Sequence, residues 1–174
     1  MIQGVKEKLA DAVRDFHLPR YEDIPDMGLY LEQVTKYIND CLAPLENVSL
    51  TYSMISNYVK RGLVNNPIKK QYYREHIAYL IFIAVTKNVL SLDNLQSFIA
   101  IQERTYDAKT AYNYFCEELE NLLFYVFRIK ESPEAVGTEV TDEKIMLRNT
   151  IITVAHQTYL DMFFKLVRAA EQAQ

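Results

Sequence analysis

The chain has few places at which a helix must stop. Four glycines (Gly4, Gly28, Gly62 and Gly137) and five prolines are spread over 174 residues, whereas a sheet-rich protein of this length needs many more turn formers. Between those breaks the apolar residues recur at three- and four-residue steps, the spacing that lines one face of a helix. Val5, Leu9, Ala12, Val13 and Phe16 make the first stripe, so residues 1–17 read as a short amphipathic arm. Pro19 and Pro25 disfavour helix in the residues before them, and 18–26 reads as an extended connector. Helical period returns from Leu29 to Leu42 and ends near Pro44.

The next helix opens at Ser49 or Thr51, either hydroxyl being able to cap it, and stops at Gly62. Turn residues flanked by apolar ones over Leu63–Tyr72 predict a small two-stranded wing. Residues 74–89 form a strongly apolar helix, and Ser91 caps a shorter one bearing Leu92, Leu95, Phe98 and Ile99. Asp107 opens a long helix to about 130. The loop Glu131–Thr141 follows, and Thr141 or Asp142 caps a final helix of about thirty residues. The fold class is therefore all-α: a winged helix-turn-helix with a minimal β-wing, plus a C-terminal pair of long helices, 107–130 and 142–172, packed antiparallel. Residues 1–17, 18–98 and 99–174 make the arm, the winged unit and a helical dimerisation or effector region.

Charge is distributed in blocks. The whole chain carries −4, but residues 1–50 hold five basic and nine acidic side chains, residues 51–90 six and one, and residues 91–174 eight and thirteen. A basic island between acidic flanks suits a protein that presents one face to phosphates while the rest stays soluble. Cys41 and Cys116 stand outside any metal-ligand spacing and read as buried free thiols. His17, His76 and His156 are scattered, each read as packed or exposed rather than as a ligand, so no metal or other cofactor is expected. Neither a serine-hydrolase elbow nor a glycine-rich phosphate loop occurs, and Glu117 and Glu118 read as a solvated helix face, so no enzyme is expected. With no leader-like start and no long apolar run, a cytoplasmic protein without a membrane partner is expected.

The informative run is Leu50–Leu63 followed by Lys69–Ile77. Burying Met54, Ile55, Tyr58 and Val59 turns Tyr52, Ser53, Ser56, Asn57 and Lys60 outward together, with Thr51 at the helix start and Arg61 at its end. Asn pairs with adenine, Ser contacts several base edges, and Lys60 and Arg61 reach phosphates or guanine. Lys69, Lys70 and Tyr72 on the wing would meet the flanking backbone.

This pattern resembles the MerR-type motif over residues 50–98, where a recognition helix ending in an aromatic leads through a Gly-Leu turn into a basic wing and an Ile77, Leu80, Ile83 helix. It departs from that pattern at Ser56, Asn57 and Tyr58, where an arginine and a tyrosine pair are usual. Leu29–Val34 and Met54–Lys60 more closely resemble a bacterial family catalogued as a domain of unknown function, over about residues 18–125.

The resemblance implies a duplex-DNA-binding transcriptional regulator. The alternative is a helical interaction module whose motif holds a protein partner. A homodimer is expected through the last helix, where Ile145, Ile152, Tyr159, Phe163 and Leu166 recur near a seven-residue interval. Cover by helices 107–130 and 74–89 within one chain is the alternative. Tyr112, Phe115, Phe124 and Tyr159 are among the aromatics that line a core, a dimer interface or the pocket of a small-molecule effector.

Overall fold

Side-chain caps set where the helices begin. The computed structural model describes residues 2–172, which form α1 (Ile2–Val13), a 3-10 turn (Tyr21–Asp23), α2 (Leu31–Leu42), α3 (Tyr52–Lys60), α4 (Arg74–Thr86), α5 (Leu92–Glu103), α6 (Ala108–Val126) and α7 (Asp142–Gln172). Thr51 Oγ1 accepts from the Met54 amide at 3.2 Å, Ser91 Oγ from Asn94 at 3.1 Å and Asp107 Oδ1 from Thr110 at 2.7 Å. Each bond satisfies an amide that the first turn of a helix leaves without a partner. Thr141 does the same for Lys144 at 3.3 Å, ahead of α7.

Helix α4 occupies the centre. Ten of its thirteen residues are buried, as a helix apolar on every side requires. Around it α2, α6 and α7 pack directly, and α1 lies on α7 and α6. Val5, Leu9 and Val13 of the first helix, and Phe16 just after it, are buried in the same core.

Two expectations fail here. Among the described residues there is no strand, and the wing is reduced to two isolated bridges, Ile68 with Gln71 and Leu29 with Tyr72. Two residue pairs do not make a ladder, because the segment is used up by a two-residue reversal and then by the start of α4.

The C-terminal pair is parallel, not antiparallel. The Lys144 ammonium lies 5.1 Å from the Tyr114 ring centroid, Arg148 lies 3.1 Å from Glu118, and the Tyr159 ring stands edge-on to Phe127 at 5.3 Å. Higher numbers on α6 meet higher numbers on α7. The chain between them returns alongside α6: Asn121 exchanges both amide hydrogen bonds with the Glu134 backbone, at 2.8 and 2.9 Å, and the Tyr114 hydroxyl donates to Val136 O at 3.0 Å. Fifteen residues reach up to about 50 Å, ample to retrace a helix of about 28 Å. No helix among the described residues is long and apolar enough to cross a membrane.

Candidate nucleic-acid interface

Helix α3 is held at both ends by bonds that leave its outer face free. Asn39 of α2 grips Leu50 with both halves of its amide, Nδ2 donating to Leu50 O at 2.9 Å and Oδ1 accepting from Leu50 N at 2.8 Å. That grip sets the residue before the Thr51 cap and so fixes where α3 starts relative to α2. Buried Leu45, Val48 and Leu50 anchor the linker between the two helices. At the far end Gly62 takes φ +75°, Gly62 N donates to Val59 O and Leu63 N to Tyr58 O. This is the paired-bond ending that a left-handed residue after a helix makes.

Ile55 and Tyr58 face inward and Val59 is half-buried, while Tyr52, Ser53, Ser56, Asn57, Lys60 and Arg61 are exposed. Thr51 is exposed beside its cap bond, and its hydroxyl lies 3.1 Å from that of Ser53. Met54 departs from expectation. It is 37% exposed, because only one narrow stripe of a nine-residue helix meets the core and Ile55 and Tyr58 fill it. Arg61 Nε donates to Asn57 Oδ1 at 3.4 Å, so the guanidinium lies back along the helix surface.

The reduced wing is a reversal at Ile68–Gln71. Ile68 N donates to Gln71 O at 3.0 Å and Gln71 N to Ile68 O at 2.9 Å, with Lys69 at φ +49° and Lys70 at φ +66° between them. Both lysines are exposed in the left-handed region, where hairpin turns ordinarily place Asn-Gly. Tyr72 does not join them. Only 5% exposed, it pairs with Leu29 through Leu29 N to Tyr72 O at 2.9 Å and Tyr72 N to Leu29 O at 2.8 Å, and its ring meets His76 edge-on. A side chain one place beyond the turn points back to the core.

Gly28 and His76 shape the chain around this turn, and Arg74 ties the start of α4 to the connector, roles that the sequence reading did not give them. A Cβ on Gly28 would lie 2.7 Å from Gln71 Cβ and 2.9 Å from the Tyr73 ring, so only glycine admits this approach. His76 Nδ1 accepts from Tyr73 N at 3.0 Å, which leaves Nε2–H to donate to Asn66 O at 3.1 Å. His76 stands at the third helical position, where a side-chain acceptor bonds back to the cap amide, and that spacing was legible. Arg74 donates to Ile24 O at 3.0 Å and Glu22 O at 3.2 Å and covers the Tyr21 ring.

The basic island is therefore smaller than its composition. Arg74 is engaged in the connector, and burial depresses the Lys87 ammonium at the end of α4. Lys60, Arg61, Lys69 and Lys70 are exposed and make no ion pair among the described residues. No group of three or more metal-ligating side chains occurs among the described residues.

The two ends of one stretch of chain are latched together. The Tyr112 hydroxyl donates to Pro19 O at 3.0 Å, Tyr21 N to Asn113 Oδ1 at 2.8 Å, and Lys109 pairs with Glu22. A family model described as Domain of unknown function (DUF1836) matches residues 19–115, more than half of the chain and almost that latched stretch. The chain belongs to this family. Its DUF1836 unit thus runs from the connector through α2–α5 into the first part of α6, and it contains the whole α3 face and the Lys69–Lys70 turn. The match bears out the resemblance of Leu29–Val34 and Met54–Lys60 to a domain of unknown function, and leaves any MerR-like character to the residues themselves. No curated protein and no solved structure matches the chain.

Proposed function

We propose that this chain is a cytoplasmic, duplex-DNA-binding transcriptional regulator of MerR-like type. Helix α3 enters the major groove with Tyr52, Ser53, Ser56 and Asn57 toward base edges. Lys60, Arg61, Lys69 and Lys70 contact phosphates. A helix about 10–12 Å across suits a groove about 12 Å wide.

The observation that carries this reading is the lysine pair at the turn. A non-glycine residue in the left-handed region costs about 1 kcal/mol, and two adjacent ones, Lys69 and Lys70, hold it here with both ammonium groups in solvent. Such strain supports a use for the charge at that tip. Replacing Lys69 by Asn and Lys70 by Gly is expected to raise stability by about 1 kcal/mol and to weaken duplex binding.

The direct test is a Lys60, Arg61, Lys69 and Lys70 to Ala variant against a selected pool of duplexes. Loss of binding with an unchanged circular dichroism spectrum is expected; unchanged binding refutes the reading. Four phosphate contacts per chain predict a slope of about −3.6 in log affinity against log salt for one bound chain and about −7 for a dimer.

A homodimer through α7 belongs to the same proposal, since one recognition helix covers few base pairs. Ile145, Leu160 and Phe164 are exposed, while Ile152, Tyr159, Phe163 and Leu166 are half-buried beneath the chain's own helices. Sedimentation of a Leu160→Glu, Phe164→Glu variant tests it: a natural chain that is monomeric at every concentration and on DNA rules the dimer out.

A second reading rests on Tyr52, Met54 and Ile68, large apolar side chains exposed on α3 and beside the turn. They favour a protein partner on the same face. Binding to that partner would respond weakly to salt.

A further inference from the structure

Helices α4, α5 and α6 and the first turns of α7 line a pocket of about 180 Å³ that is partly open to solvent. Its space comes from small residues. Ala78, Ala108 and Ala111 line it where larger side chains would fill it. Much of the remaining wall is aromatic: Phe82 packs on Phe98 at 5.0 Å and edge-on to Phe115 at 5.3 Å, and Tyr112 meets Phe115 at 6.0 Å.

The tyrosine hydroxyls of the wall are turned to other work. Tyr79 donates its hydroxyl to Glu103, Tyr112 to Pro19 O and Tyr114 to Val136 O, and the Tyr106 hydroxyl pairs with that of Thr141. Each tyrosine therefore shows the cavity its ring rather than a free donor. At the α7 side Glu143 accepts from Thr105 and stays ionised, its carboxyl held below the usual range by that bond, and Lys144 donates to Glu139 O while lying over the Tyr114 ring. Each of the two charges thus has a partner of its own. A charged ligand would gain no unmatched partner here and would lose its hydration.

We propose that this cavity is a binding site for a small, uncharged, mainly aromatic molecule of one or two rings. A dry cavity of ~150 Å³ accepts benzene, so the volume suits that class. Four rings from three helices present faces and edges on which a flat guest stacks. The site joins α4 and α5 to α6 and α7, and it stands or falls apart from the DNA reading.

The test is titration of the full chain with indole, followed by calorimetry, by melting temperature and by NMR. Saturable one-to-one binding is expected, with a melting temperature that rises with indole concentration and shifts confined to signals such as those of Phe82, Phe98 and Leu147. Benzoate and benzylamine are expected to bind at least ten-fold more weakly. Ala111→Leu and Ala108→Leu should each abolish indole binding without lowering the melting temperature of the free protein. Absence of saturable binding, shifts elsewhere in the molecule, or a folded filling variant that binds as before would overturn the site. Equal binding of the charged probes would overturn its chemistry. Should either substitution fail to fold, the other and the shift map on the unaltered chain still decide.

Discussion

Glu118 and Glu120 stand two residues apart on α6 and are both buried, yet one is fully partnered and the other is not. Glu120 faces the connector. It accepts from Leu18 N at 3.0 Å, takes a two-pronged bond from Arg20 at 2.7 and 2.9 Å, and lies 3.0 Å from His17 Nδ1. It raises the basicity of Arg20 in return. Glu118 faces α7 without a backbone donor, and the cation 3.1 Å from it, Arg148, is 41% exposed. Burial pushes its carboxyl above the usual range, and Arg148 and the Asn121 side chain offset only part of that. The pair shows that burying a carboxylate costs little only where hydrogen bonds replace those of water. Glu120 therefore fastens residues 17–20 to the bundle, whereas Glu118 meets α7 through a half-exposed arginine.

The largest effect should follow loss of the satisfied group. Glu120→Ala strands a buried amide and an arginine and is expected to cost about 3 kcal/mol, read by urea unfolding. Glu120→Gln keeps an acceptor and should cost about half of that. Were Glu120→Ala to cost less than Glu118→Ala, the contrast between the two sites would be broken.

Glu118→Met should go the other way and stabilise the chain by about 1 kcal/mol, since it replaces an unsatisfied buried group with one of similar volume. A smaller effect sharpens the role of Arg148. A double-mutant cycle of Glu118→Gln with Arg148→Ala should return a coupling of about 0.5 kcal/mol, because solvent screens a half-exposed partner.

The smallest effect is one of pH. Folding raises the Glu118 carboxyl, so its contribution is complete below the usual 4.5 and is lost as pH rises through the raised value. Glu22 has the opposite sign: the Lys109 ammonium holds it at about 2, so its contribution is present above 4.5 and fades as pH falls toward 2. Unfolding measured from pH 2 to 8 should lose its downward slope above 4.5 in Glu118→Met and keep its acid limb; a slope unchanged by that substitution would place the titrating group elsewhere.

What the sequence by itself determined lies within one helical turn. Thr51, Ser91, Asp107 and Gly62 act on amides and carbonyls three to five residues away, so the starts of α3, α5 and α6 and the end of α3 were legible without any other part of the chain. The apolar run that becomes α4 is likewise its own signal, and so is the exposed set Tyr52, Ser53, Ser56, Asn57, Lys60 and Arg61. Only the tertiary structure decided that Met54 faces out and Tyr72 in, that Glu118 is buried rather than solvated, that α7 runs parallel to α6, and that alanines from two helices leave a cavity among aromatic rings. Each of these depends on which neighbour covers a helix face, and that neighbour is far away in sequence. Asn39 gripping Leu50 and Glu120 gripping Leu18 act across eleven and 102 residues, distances over which no local periodicity carries information.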